Sequence, residues 1–231
     1  MDLRLFQWPR AHRIIASRFP PIQLFERLAA DPADWDALAA VEGLTNPRLR
    51  QEIGDISMVP VEERVAGPGA SYVMAPFVHI NPKGSRFGTP GQGVYYAGSD
   101  FETALRETVH HYESFYADSD QGLLRTEDMR VLVGAIDHQF HDVAGLPEAR
   151  RIEVLLPDSY VAGRALADEL RAAGSDGVVF PSVRNPGGES VGAFRPKAVG
   201  IPVQTKHLAY HWDGKRINRV FDYQIEAWRE L

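Results

Sequence analysis

Apolar residues recur at helical spacing in the first part of the chain and at strand spacing in the last part. Ile22, Phe25, Leu28 and Ala29 predict a helix over Ile22–Ala30. Asp31-Pro32 opens a second, with Asp31 as N-cap, Pro32 at N1, and Trp35, Leu38, Ala39 and Leu44 on its apolar side. Asn46-Pro47 starts a third short helix through Ile53. After the punctuation of Gly67-Pro68-Gly69, Ser71–Ile80 has strand composition, and Pro76 makes it an edge or broken strand. Val94–Ala97 is a short β run. Ser99 with Glu102 reads as the capping box of a following helix that carries Glu107. Ala117–Asp128 is acidic and loop-like, and Arg130–Ile136 is a strand. A helix capped by Asp158 or Ser159 runs to Ala173, with Gly174 as its C′ glycine. Strands follow at Gly177–Phe180, Ser190–Phe194, Val199–Val203 and His207–Trp212, with a turn at Asn185-Pro186-Gly187-Gly188, and Phe221–Leu231 closes the chain as a helix. A short strand around Arg13–Ala16 precedes Pro20-Pro21. The pattern is mixed α+β, without the regular alternation of a doubly wound sheet.

Composition narrows the chemistry. A chain of 231 residues fits one domain. Its 44% hydrophobic and 24% charged residues are those of an ordinary globular protein. The net charge of −6 argues against direct nucleic-acid binding through a basic surface. Cysteine is absent, which excludes disulfides, thiolate metal sites and cysteine nucleophiles. No apolar run reaches the ~18–20 residues that span a bilayer, so no membrane association is expected. Arg4, Arg10, Arg13 and Arg18 give the first residues the charge of a transit peptide, but Trp8-Pro9 and Phe19-Pro20-Pro21 break the amphipathic helix such a peptide needs.

One stretch concentrates chemistry. Gly84 to His111 places Arg86 in a Gly/Pro-rich loop, Tyr96 at the end of a strand and Glu107 two turns into a helix. An anion-binding fork, a flat ring and a carboxylate on one scaffold suit a nucleotide. Each also has a plain structural reading: an ion pair for Arg86, core packing for Tyr96, a solvated helix face for Glu107. Glu107 and His110 form one E-x-x-H, whereas carboxylate-bridged di-iron bundles use two copies and two further glutamates, so no metal is expected. No G-x-S-x-G elbow supports a hydrolase triad. Ser182 follows a strand and a proline, and by itself reads as a hydrogen-bonding loop serine. Arg184 stays open between surface and site, and Gly187-Gly188 lacks the surroundings of a phosphate-binding loop.

In order along the chain, Gly84-Ser85-Arg86-Phe87, Val94-Tyr95-Tyr96-Ala97 with Thr103-Ala104-Leu105-x-Glu107 and His111, and Ser175–Arg184 with Gly187-Gly188-Glu189 and Phe194-Arg195-Pro196 resemble the RES-domain family of bacterial toxins. The likeness runs from about residue 84 to 196, and Arg13 resembles an upstream strand arginine of the family. It implies a single RES-type domain over 1–231 with 20–66 as a helical N-terminal elaboration, and an ADP-ribosyltransferase-like fold: a mixed β core with flanking helices. It further implies a cytoplasmic toxin that consumes NAD by cleaving the nicotinamide–ribose bond through hydrolysis or phosphorolysis. The alternative is a protein ADP-ribosyltransferase with NAD as donor. The implied partner is an Xre-family antitoxin in a hetero-oligomeric complex, and a homodimer is a further assembly it admits. On this resemblance Glu107 stabilises the oxocarbenium-like ribose, Arg86 and Arg13 hold the pyrophosphate, Tyr96 stacks on nicotinamide, and Ser182 hydrogen-bonds the substrate or Glu107. Some members carry their serine in the helix where this chain has Val161 and Gly163.

Overall fold

The computed structural model describes residues 1–22, 24–28, 31–45, 53–118 and 124–231. Among them eight strands form one sheet: β1 (Leu3–Ala16), β2 (Tyr95–Gly98), β3 (Arg125–Asp142), β4 (Gly177–Pro181), β5 (Glu189–Ala193), β6 (Val203–Trp212), β7 (Ile217–Asp222) and β8 (Ala227–Glu230). The order is β1-β2-β5-β4-β3-β6-β7-β8, and β1 also pairs along most of β3. The first five strands therefore close into a ring, from which β6, β7 and β8 extend as an antiparallel wing. The helices are α1 (Trp35–Thr45), α2 (Ala70–Val78), α3 (Phe101–Asp118), α4 (Glu148–Val154) and α5 (Val161–Ala172). The fold class is α+β, as the pattern predicted.

Three apolar clusters hold these elements. One packs the N-terminal segment and α2 against β1 to β5, around Phe25, Trp35, Met74, Tyr95 and Phe140. A second packs α3 on β1, β3 and β6 through Leu105, Tyr112 and Tyr116. The third packs α5 on β4 through Leu166, Ala167, Leu170 and Phe180. Side chains alternate across a strand, so Tyr95 enters the first cluster while its neighbour Tyr96 lies against the third. The N-terminal segment thus packs on the opposite face of β2 from Tyr96.

Several predicted elements hold. Asp31 caps a 3₁₀ turn, Pro32–Asp34, by accepting from the Ala33 N–H, and α1 follows with Trp35 fully buried. Gly174 takes the left-handed conformation after α5, with φ +80°. The helix predicted over 22–30 is, within the described residues, a π-helical turn at Leu24–Leu28. The short helix predicted from Asn46 falls almost wholly outside the described residues.

Others differ, each for a physical reason. Ser71–Ile80 is not a strand. Its residues form α2, whose buried positions Ala70, Ser71, Val73, Met74, Phe77 and Val78 make a helical stripe. Tertiary burial overrides the strand-like composition, and the ring of Pro76 sits in the last turn of that helix. Phe221–Leu231 is not a helix but the β7–β8 hairpin, in which Phe221 faces Trp228 with ring centroids 5.2 Å apart. Cross-strand aromatic packing of this kind is worth up to about 1 kcal/mol. Val199–Val203 adds no separate strand: Pro196–Ala198 is a 3₁₀ turn, Pro202 has no N–H for a ladder, and β6 begins at Val203. The stretch 125–128, expected in a loop, is the start of β3, paired with β6 from Trp212 to Ala209.

Candidate active site

The helix that carries Glu107 is capped one residue later than predicted. Asp100, not Ser99, accepts from the Thr103 N–H (2.8 Å) and from the Thr103 hydroxyl (2.7 Å). Ser99 is held instead by the sheet, its N–H donating to the Glu189 carbonyl at 2.8 Å. Glu107 is half-buried on α3, so it is not a freely solvated helix position.

Ser182 directly follows β4 and heads a loop that folds onto α3. Its N–H donates to the Gly188 carbonyl, and the Gly188 N–H donates to the Asn185 carbonyl, both at 2.9 Å. The Ser182 hydroxyl accepts from the N–H groups of Arg184 (3.2 Å) and Asn185 (3.0 Å) and donates to Glu107 Oε1 at 2.6 Å. Asn185 Nδ2 in turn donates to Thr103 Oγ1 at 2.9 Å. A Cβ at Gly188 would lie 2.1 Å from that same Thr103 oxygen, so glycine lets the loop dock this closely. With its proton given to Glu107 and its oxygen accepting twice, Ser182 orients the carboxylate and is badly arranged for attack. Glu107 Oε2 has no hydrogen-bond partner among the described residues.

Tyr96 and Arg86 form the facing wall. The Tyr96 hydroxyl accepts from the Phe87 N–H at 3.0 Å and shares a 2.9 Å hydrogen bond with Ser85 Oγ. It therefore holds both residues that flank Arg86. Burial pushes the Tyr96 phenol up to about 12, so it stays protonated at neutral pH. Arg86 is 9% exposed. Its Nη1 donates to the carbonyls of Leu156 (2.8 Å) and Val154 (3.2 Å), and its guanidinium lies over the Tyr160 ring, 4.7 Å from the centroid. Burial is the largest influence on it and lowers its pKa, while Tyr160, Glu107 and Tyr96 counter that and Arg184 adds to it. Nε and Nη2 of Arg86 have no hydrogen-bond partner among the described residues, which leaves one edge of the fork for an anion.

The structure thus brings Glu107, Ser182, Arg86 and Tyr96 into one region, but not Arg13. Arg13 Nη1 donates to the Tyr96 main-chain carbonyl at 2.8 Å, and its guanidinium lies over the ring of Tyr95, on the far face of β2. It braces the β1–β2 seam.

Two further residues belong to the region. Tyr160 precedes α5 and supplies the ring beneath Arg86; the predicted caps Asp158 and Ser159 lie upstream, and α5 has no side-chain cap. Nothing in the local sequence marks Tyr160, because its partner is 74 positions away and the pairing exists only in the fold. Arg184, left open by the sequence, donates from Nη2 to the Pro157 carbonyl at 2.9 Å. Next to these, burial and then Arg184 lower the pKa of His110.

Residues 62–213 match the RES domain. The chain belongs to the RES domain family. It is 28% identical over 212 residues to a Sinorhizobium fredii (strain NBRC 101917 / NGR234) chain described as "Uncharacterized protein y4oC", covering 92% of this chain and 86% of that one. It is similar, with a TM-score of 0.43 and 9% identity, to a chain in the crystal structure of the M. tuberculosis MbcT–MbcA toxin–antitoxin complex, over 92% of this chain and 87% of that one. That structural likeness is too loose to carry a functional argument. No helix among the described residues is long and apolar enough to cross a membrane.

Proposed function

We propose that this protein is the toxin of a bacterial toxin–antitoxin pair and that it degrades NAD by cleaving the nicotinamide–ribose bond. The observation that carries this reading is the Ser182–Glu107 hydrogen bond, which aims a carboxylate with one open oxygen into the region that holds Arg86. Membership of the RES family supports it.

In this reading the C1′–N bond breaks and its electron pair passes to the nicotinamide ring, discharging the pyridinium. Positive character grows on the ribose, and a fixed carboxylate stabilises it without reorganising. The Ser182 hydroxyl keeps Glu107 in register. Arg86 binds the pyrophosphate, and Tyr96 holds the loop that carries Arg86 and offers its ring to the nicotinamide. Water or phosphate then attacks C1′ and its proton leaves through Glu107 or solvent. No metal enters any step. NAD is the substrate, and the cytoplasm is the proposed compartment. An Xre-family antitoxin is the proposed partner. Ile152, Leu156 and Val161 are exposed beside Arg86 and Tyr160, an apolar rim that such a partner would bury.

Purified protein free of partner should release nicotinamide from NAD, tested with and without phosphate to identify the acceptor. No release in either condition from folded protein would overturn the reading. Label from NAD retained covalently on a second protein would move it to a protein ADP-ribosyltransferase.

A further inference from the structure

Arg86 and Arg184 grip consecutive carbonyls of one segment. Arg86 Nη1 donates to the Leu156 carbonyl and Arg184 Nη2 to the Pro157 carbonyl, at 2.8 and 2.9 Å. The two arginines come from opposite walls, one from the loop after Gly84 and one from the loop after β4, yet adjacent residues of the 155–160 segment bring their guanidinium groups together. Neither forms an ion pair among the described residues. Both spend donors on neutral carbonyls, and burial and then the nearby Arg184 disfavour the charged form of Arg86, which Glu107 only partly offsets.

Holding two cations together with no carboxylate in ion-pair contact with either is costly unless an anion completes the set. The backbone around Arg184 is also fixed toward the site: its own N–H donates to Ser182 Oγ, the oxygen that donates to Glu107. One arginine, one serine and one glutamate are thereby locked in a single register.

We infer that Arg184 is the second phosphate-binding residue of this site and forms, with Arg86, a two-arginine clamp for a diphosphate. Arg13 does not fill this place, because its Nη1 is spent on the Tyr96 carbonyl and its guanidinium lies over the Tyr95 ring on the other face of β2, where its Nε is buried without a partner. The inference rests on the dinucleotide reading above, and names the residue that holds the dinucleotide's pyrophosphate. Anchored on the carbonyls of adjacent residues, Leu156 and Pro157, the two forks suit the two adjacent phosphates of ADP-ribose better than a single phosphate. The Tyr160 ring under the Arg86 guanidinium supports that fork from one side.

The test is titration of ADP-ribose, inorganic pyrophosphate and nicotinamide riboside into wild type, Arg184→Ala and Arg184→Lys, with melting temperatures to establish folding. A charge-assisted phosphate contact predicts that Arg184→Ala weakens ADP-ribose and pyrophosphate binding by about 10- to 100-fold. Nicotinamide riboside, which has no phosphate, should bind as before. Arg184→Lys keeps the charge without the fork and should recover part of the loss; it also serves if the alanine variant does not fold. In turnover, KM for NAD should rise more than kcat falls. Unchanged affinity for ADP-ribose in Arg184→Ala would overturn the clamp. So would equal losses for ADP-ribose and nicotinamide riboside, because a residue that only secures the 155–160 segment would affect both alike. ADP-ribose bound through Arg184 without nicotinamide release from NAD would keep the clamp and reject the cleavage reaction. Release with an unchanged KM in Arg184→Ala would do the reverse.

Discussion

Ser182 Oγ donates to Glu107 Oε1 across 2.6 Å, joining a loop and a helix whose residues are 75 positions apart in the chain. This bond fixes the direction of the carboxylate, and the two N–H groups that Ser182 accepts fix the direction of the bond.

Replacing Ser182 with alanine removes the hydroxyl from all three contacts. The buried loop should lose about 1–3 kcal/mol, the range for leaving buried donors unpaired. Nicotinamide release should slow but remain measurable, because Ser182 does not attack. Mass spectrometry of the wild-type protein during turnover should find no adduct on Ser182. An adduct there would make it the nucleophile.

Glu107→Gln keeps the side chain's size and an oxygen to accept from Ser182, and removes the charge. Its melting temperature should stay close to wild type while kcat falls by at least about 10²–10³-fold, the scale for losing one preorganised electrostatic group. Wild-type turnover in this variant would remove Glu107 from the chemistry.

Tyr96→Phe separates two roles of one residue. A ring needed only for stacking survives the change, whereas the hydroxyl that holds Ser85 and the Phe87 N–H does not. We expect a loss of about 1–3 kcal/mol from the unpaired loop donors and a raised KM for NAD through a loosened Arg86. Activity and stability both equal to wild type would show that the hydroxyl does not position Arg86.

The same hydroxyl predicts an alkaline limit. Its folded pKa is raised to about 12, above the unfolded value of 10.0. A raised folded pKa means that the native state holds the proton more tightly, so the stability it supplies is complete below pH 10 and declines as pH rises through about 12. Denaturation midpoints measured between about pH 9 and 12 should fall less steeply in Tyr96→Phe than in wild type. Parallel declines would exclude Tyr96 as the responsible group.

Gly163 sits in the first turn of α5 against the Arg86 loop, where an added Cβ would meet the Arg86 carbonyl oxygen at 2.6 Å. Alanine favours a helix interior over glycine by about 1 kcal/mol, so without the contact Gly163→Ala would stabilise the protein. With backbone that close, it should lower the melting temperature and raise KM. A stabilised variant of unchanged KM would show that the loop yields.

Much of the site could be read from the chain because it depends on short stretches. The glycines around Arg86, the strand ending at Tyr96 and the helical spacing to Glu107 place three side chains by local geometry alone. The errors fell where distant packing outweighs local preference. Ser71–Ile80 has strand composition, but a helical stripe buries it in the first apolar cluster. Phe221–Leu231 can satisfy a helical period, yet Phe221 packs across a hairpin on Trp228. The cap of α3 moved from Ser99 to Asp100 because the sheet claimed Ser99.

Arg13 and Arg184 mark the boundary most sharply. Both are arginines on or beside strands, and nothing local separates a brace from a ligand. Which face of β2 each approaches depends on how β1 pairs with β2 and on how the loop after β4 folds onto α3. Composition, periodicity and turn chemistry act over a few residues, and they determined the α+β class, the Glu107 helix and the Arg86 loop. Contact between Ser182 and Glu107, the ring of Tyr160 under Arg86 and the far-side placement of Arg13 join residues whose separation in sequence carries no information about distance. The tertiary structure alone decided those.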